Sequence, residues 1–344
     1  MSGPLVPLSV LDLVLVREGG GGPPEALANT LALAQHAERC GYRRFWIAEH
    51  HNMRGIAGGA TSVVIGHIAA GTSEIRVGAG GIMLPNHSPY VIAEQFGTLE
   101  SLFPGRIDLG LGRAPGSDQV AFRAMRRDPA ASDMFPQDVQ ELQALLAPAE
   151  EGQRLIAVPG EGTDVPLWIL GSSTFGARLA AVLGLPYAFA SHFAPDALHQ
   201  ALAVYREHFQ PSPQLSRPYA MGAVNVVAAD SEAEARRLFT SPQQSFRNLV
   251  RGVPGRLPPP VDDMEQHWSP VEKAHAMRML ARSLVGTVEQ VREGLAAFVD
   301  ETGVDEVIVA SAIWDPAARR RSLSLLAEAA GLEPRAGAGA AVPA

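Results

Sequence analysis

Apolar residues in this chain fall into short continuous runs, separated by longer segments in which they recur every three or four positions. The runs are residues 8–16, 43–49, 75–84, 106–112, 166–172, 187–191, 219–229 and 306–313. Several are apolar almost throughout instead of alternating, which is the pattern of parallel strands covered on both faces. The segments between them carry helical spacing and helical punctuation. In "PPEALANTLALAQHAERCG" (23–41) two prolines open a helix, Leu27, Leu31 and Ala34 form an apolar stripe, and Gly41 closes it. The stretches at 88–105 and 173–186 follow the same grammar.

A strand–helix unit repeated eight times predicts either a closed barrel or a doubly wound sheet. Eight units in 344 residues favour an α/β fold of the (β/α)8 TIM-barrel type, one domain over residues 5–332. Two segments are longer than a helix and loop require. One, residues 113–165 after strand four, includes a candidate short strand at "RLIAVPG" (154–160). The other, residues 240–283 after strand seven, is Pro-rich and is expected to be a lid. The tail at 334–344 has one valine as its core-forming residue and is expected to be disordered.

Charge removes some classes of partner. The formal net charge is −8 and the longest basic run is Arg319–Arg321, so a phosphate backbone would meet no positive stripe and nucleic acid is not an expected partner. No apolar run approaches the roughly 20 residues of a membrane span, and the N-terminus lacks a basic-then-apolar leader. The expectation is a cytoplasmic protein with no membrane partner. One cysteine, Cys40, excludes an internal disulfide and is expected to be a small packed side chain.

In parallel barrels the chemistry collects at the C-terminal ends of the strands. That rule selects Glu49, His50 and His51 after strand two; Gly80, Gly81 and Met83 around strand three; Arg113 after strand four; Ser172 and Ser173 after strand five; and His192 after strand six. Adjacent residues leaving a strand point to opposite sides, so His50 and His51 would not share one metal ion, and no metal site is expected. One of the pair suits the barrel rim, and the other, facing the mouth, suits proton transfer. "GAGGIMLPNHSP" (78–89) places glycines inside a buried strand. That fits either a strand tightly covered by its neighbours or a flat ligand lying against it. "GLGRAPG" (110–116) fails the G-x-G-x-x-G spacing, which excludes dinucleotide binding there. Arg113 reads as a surface arginine or as a bidentate ligand for an anion. Gly171–Thr174, between a strand and a helix, is either an ordinary cap or a phosphate cradle.

Taken together, "FWIAEHHN", "VGAGGIMLPNHSP", "GRIDLGLGRAPGSD", "LGSSTFGARLAAVLGLPYAFASHFAP" and "LVGTVEQVREGLAAF" resemble the bacterial-luciferase-like flavin-dependent monooxygenases. The branch most similar is the small single-component group that includes antibiotic-pathway oxygenases, and the likeness runs over about residues 5–330. The resemblance implies a (β/α)8 barrel that binds reduced FMN, delivered by a separate flavin reductase. It implies reaction with O2 to a flavin C4a-hydroperoxide, which oxidises an aldehyde or another small organic substrate. His50 matches the family's catalytic base. Gly80 and Gly81 match a non-prolyl cis peptide under the flavin ring. Arg113 matches a phosphate-binding arginine, with Ser172, Ser173 and Thr174 in the phosphate loop. Glu49, His51, Met83 and His87 are then substrate-side or supporting residues. Two positions depart from luciferase. A reactive cysteine there is Gly112 here, and a glutamate there is Ser172 or Gly171 here, so nothing in the sequence argues for light emission. On the same fold, deazaflavin-dependent hydride transfer and flavin binding without turnover are the alternative activities. The small-residue helix at 59–71 suits a homodimer contact as well as packing within its own barrel.

Overall fold

The structure, a computed structural model, describes residues 6–114 and 118–335. In chain order the elements are β1 (Leu8–Asp12), α1 (Pro23–Arg39), β2 (Arg44–Ile47), α2 (Thr61–Ala70), β3 (Arg76–Met83), α3 (Pro89–Leu102) and β4 (Ile107–Gly112). Then follow α4 (Gln119–Ala124), α5 (Phe135–Leu146), β5 (Leu167–Gly171), α6 (Thr174–Leu183), β6 (Tyr187–Phe189), α7 (Leu198–His208) and β7 (Ala220–Ala228). The chain continues through α8 (Glu232–Val250), α9 (Pro270–Met279), β8 (Ser283–Gly286), α10 (Val288–Thr302), β9 (Glu306–Ala310) and α11 (Pro316–Ala330).

The expected barrel is present. All the strand pairings are parallel, in the order β6-β5-β4-β3-β2-β1-β9-β7-β8, and a β6–β7 pairing closes the ring. Each of the eight apolar runs seen in the sequence contributes a barrel strand, the last of them being β9. β8 lies outside the ring. It pairs with Asn225–Ala228, the outer half of β7, while Ala220–Asn225 pairs with β6 and β9.

Side chains on the two faces of the strands form separate cores. Outward residues such as Phe45, Ile47 and Val77 pack under the helices in one large cluster. Inward residues, among them Leu11, Trp46, Trp168, Met221 and Ile308, fill the lumen. Below them the lumen is ionic. Arg44 Nη1 donates to Asp108 Oδ2 at 2.7 Å and its Nε donates to Glu306 Oε1 at 3.1 Å, while Arg76 Nη2 reaches Asp108 Oδ1 at 2.6 Å. Ser9 also donates to Glu306. Burial opposes ionisation of Asp108, yet the Arg44 and Arg76 guanidiniums outweigh it and hold the carboxyl below its ordinary range.

Several local expectations shift. The buried face of α1 runs through Ala26, Thr30, Leu33, Ala34 and Ala37, so Ala34 is buried as expected while Leu27 and Leu31 lie at its margin, and Thr30 Oγ1 on that face donates to the buried Asp12 at 2.6 Å. Residues 154–160 form no strand. Pro159 has no N–H to give a ladder, and Gly160 packs backbone to backbone against Gly97 of α3. The excursion expected from residue 240 begins as helix. α8 runs on through Pro242, whose ring joins Leu238 and Phe239 on the buried face. The loop that follows crosses to the far rim, where Leu257 N donates to Val16 O at 2.9 Å and Gly255 meets Gly55. From residue 336 onward the predicted tail lies outside the described residues, whereas Arg335 Nη2 donates to Tyr42 O at 3.2 Å.

The ionic floor yields a stability prediction. Asp108→Ala strands two guanidiniums in the lumen and should cost about 3–5 kcal/mol of unfolding free energy, measured by urea denaturation. A loss below about 1 kcal/mol would show that the floor contributes no more than surface pairs do.

Candidate active site

β2 ends at Ile47, and one further ladder bond, from Ala48 N to Asp12 O at 3.0 Å, carries the chain to the barrel rim. Arg44, Trp46 and Ala48 face the lumen, so His50 leaves the strand on the inner side, while Glu49 and His51 leave on the outer side. The two histidines therefore do separate things. His51 Nε2 lies 2.7 Å from Glu49 Oε1. His50 is on the side of His192, at the end of β6. Burial and the nearby His50 charge lower the His192 pKa to about 4, so His192 is neutral at ordinary pH. Asn225 Nδ2 donates to the His192 carbonyl and fixes its position.

Glu49 is fully buried, and donors surround it. Besides His51 it receives His87 Nε2 at 2.9 Å, Asn86 Nδ2 at 3.3 Å and the Met83 backbone N–H at 3.1 Å. Burial pushes its pKa up, but the hydrogen bonds from His51 and His87 prevail and hold it at about 2. One atom each of Glu49, His51 and His87 lies within 4.8 Å of the others, and among the described residues this is the group that could gather around a metal ion. The donor set points elsewhere. A carboxylate offers about four acceptor sites, and these are already occupied by N–H groups, which a cation would have to displace. The cluster is an anchor that ties the turn after β3 to the end of β2. On the other side of that turn, Arg127 donates to Pro85 O and His87 O, both at 2.9 Å.

β3 itself is irregular where the glycines stand. Its register against β4 shifts between Ala79 and Ile82, and the Gly80–Gly81 peptide bond is cis. A Cβ on Gly80 would lie 3.1 Å from Trp46 Cβ, and one on Gly81 would lie 2.6 Å from the Gly110 carbonyl. Close cover by the neighbouring strands therefore already requires glycine at both positions, whatever lies above them.

The remaining candidates meet at the next two strands. Arg113, just beyond β4, holds its guanidinium 4.2 Å from the ring centroid of Phe175, in the first turn of α6. Ser173 is the N-cap of α6, yet its hydroxyl makes no capping bond, and Ser172 and Ser173 are exposed. The loop thus offers hydroxyls and helix N-terminal N–H groups beside an arginine. The structure brings together the strand ends of β2, β3, β4 and β5, which are consecutive in the ring. Asn86, Arg127 and Asn225 were missed by sequence reasoning. Arg127 in particular acts from within the long excursion after β4, where no spacing connects it to the turn it holds. A cleft of about 660 Å³ lies under the insertion between α8 and β8, and none of the candidate residues lines it.

The Glu49 anchor has a defined pH window. A carboxyl held at about 2 instead of 4.5 adds roughly 3 kcal/mol of stability where it is ionised. That contribution is complete above pH 4.5 and is lost as pH falls toward 2. The hydrogen bond to Glu49, with burial opposing it, raises the His51 pKa, so the imidazolium's contribution is complete below 6.5 and is lost as pH rises through the raised value. Glu49→Gln should therefore destabilise most between pH 4.5 and 6.5 in urea unfolding. A stability gap that stays constant across and beyond that window would refute the ionic account.

The family model described as "Luciferase-like monooxygenase" matches residues 7–306. A luciferase-like monooxygenase of Escherichia coli (strain K12) is 52% identical over 326 residues, 94% of this chain and 97% of that protein. The N-acetyl-S-alkylcysteine monooxygenase of Bacillus subtilis (strain 168) is 31% identical over 333 residues, covering 94% of this chain and 98% of that one. The crystal structure of apo-MsnO8 superposes with a TM-score of 0.85 at 37% identity, over 96% of this chain and 100% of the other. The chain belongs to the luciferase-like monooxygenase family.

Proposed function

We propose that this protein is an FMN-dependent monooxygenase acting on a small organic substrate, aldehyde-like or a secondary metabolite, with reduced FMN supplied by a separate flavin reductase. The observation that carries the proposal is the convergence of Arg113 on the first turn of α6, beside Ser172, Ser173 and Thr174. A cation, hydroxyls and helix N–H groups side by side support a terminal-phosphate site there. From there the arc of strand ends leads over Gly110 and Gly80–Gly81 to His50, a span that suits a flat ring system with a phosphate tail. When bound, reduced FMN would supply the oxygen chemistry, through a C4a-hydroperoxide that delivers one oxygen atom to the substrate.

The chain's own residues have distinct parts in this reading. Arg113 and the Ser172–Thr174 loop bind and orient. Gly80 and Gly81 present a side-chain-free surface. His50 moves protons at the reacting centre, from the inner side of the rim at the end of β2. Glu49, with His51 and His87, holds the turn carrying Met83 in place. Residues 240–283 cover the site, since their loop already docks on the residues after β1 and β2. Bound FMN should then slow proteolysis within 251–261, and equal cleavage rates with and without it would remove the lid role.

Two substitutions separate binding from chemistry. Arg113→Ala should weaken FMN affinity by about 10–100-fold, read by fluorescence titration. His50→Ala should keep the affinity and lower product formation about 100-fold or more. Unchanged FMN affinity in the first, or full activity in the second, would overturn the corresponding assignment. A protein that binds a deazaflavin and not FMN would replace the proposal with hydride transfer.

A further inference from the structure

Three aromatic rings run through the lumen from beneath the glycine turn of β3 to the floor of the barrel. Trp46 lies directly against Gly80, where a Cβ would come within 3.4 Å of its Cε3. Trp168 meets Trp46 edge-on, with centroids 5.1 Å apart, and Tyr219 meets Trp168 in the same way at 5.7 Å. Both tryptophans are buried, whereas Tyr219 is half-buried at the lower opening, beside the exposed Arg43.

Edge-to-face packing alone would account for the spacing. It does not account for the polar groups. Each end of the chain gives its only polar hydrogen to a buried carboxylate: Trp46 Nε1 to Asp108 Oδ2 at 3.1 Å, and the Tyr219 hydroxyl to Glu306 Oε2 at 2.7 Å. The middle ring carries a buried cation, the Arg44 guanidinium 4.9 Å from the Trp168 centroid, whereas the cation beside Tyr219, Arg43 at 5.9 Å from its centroid, is exposed and screened by solvent. Carboxylates ease oxidation of the ring that donates to them, and a guanidinium over a ring's face opposes it. The ends are therefore resting places for an electron hole, and the middle is a transit point.

We propose that Trp46, Trp168 and Tyr219 conduct one-electron oxidising equivalents from the flavin site to the barrel floor, with Tyr219 as terminal electron donor and Glu306 as its proton acceptor. The inference rests on the FMN reading above. The oxidant is an excited oxidised flavin, which takes one electron from Trp46. Trp168 refills Trp46, and Tyr219 refills Trp168. The phenolic proton passes to the Glu306 carboxylate, leaving a neutral tyrosyl radical, a carboxylic acid and a flavin reduced by one electron. The proton step is necessary because burial, reinforced by Glu306, keeps the phenol protonated well above the ordinary range. The path moves a damaging oxidant out of the substrate site to a ring that solvent reductants can reach.

The test is a blue-light flash on FMN-loaded protein, followed by transient absorption and by electron paramagnetic resonance of samples frozen after illumination. A tyrosyl signal is expected. It should be lost in Tyr219→Phe, which leaves a tryptophan radical, and lost in Trp168→Phe although Tyr219 is intact. Tyr219→Phe is conservative and half-buried, so it keeps the test decisive if Trp168→Phe fails to fold. A tyrosyl signal that persists in Tyr219→Phe, or no protein radical at all in flavin-loaded wild type, would overturn the path. FMN titration of the same samples distinguishes the two levels. Binding without radical transfer sinks this inference alone, and absence of binding of both oxidised and, anaerobically, reduced FMN sinks the FMN reading together with it.

Discussion

Charge neutralisation at the bottom of the lumen is the constraint on which the rest of the barrel depends. Arg44 on β2 lies between Asp108 on β4 and Glu306 on β9, with Arg76 on β3 and Ser9 on β1 completing the set. Each of these groups would be costly to bury alone. Together they tie five strands at one level, and they are satisfied in one register only, because a slip of one residue would turn every one of them outward. With the floor fixed in this way, the upper half of the barrel can depart from regularity.

That departure is concentrated at β3. The strand shifts register, its glycines press on Trp46 and on the Gly110 carbonyl, and its last N–H, from Met83, goes to Glu49 instead of a strand partner. The Glu49 carboxylate is the upper counterpart of the ionic floor. It binds a turn to a strand end by hydrogen bonds from two imidazoles, an amide and the backbone. His50 follows directly on the anchored Glu49 in sequence.

Much of this was legible in the sequence, for identifiable reasons. Continuous apolar runs mark strands buried on both faces, and all eight gave barrel strands. The separate surroundings of His50 and His51, one near His192 and the other on Glu49, agree with the side-to-side alternation expected of adjacent residues. The sequence did not disclose β8, whose four residues "SLVG" are only half-covered and too short to show a period. It also gave residues 240–250 to the Pro-rich excursion, since a proline on a buried helical face reads as a break until the packing around it is known. The partners of Glu49 were hidden for another reason. His87 is 38 positions away, and the parallel pairing of β2 with β3 together with the turn after β3 brings it within hydrogen-bond distance.

β7 is clamped along its first half by β6 and β9 and carries β8 on its second half. In mechanical terms it is a cantilever. The fixed end belongs to the barrel wall, and the free end supports residues 229–282 with an apolar cluster of their own, in which Leu238, Phe239 and Leu280 join Val227 and Ile313. Substitutions within that overhang can reshape what lies above the mouth without loosening the ring that closes beneath it. Ring closure and support of the insertion are thus written into different halves of one strand.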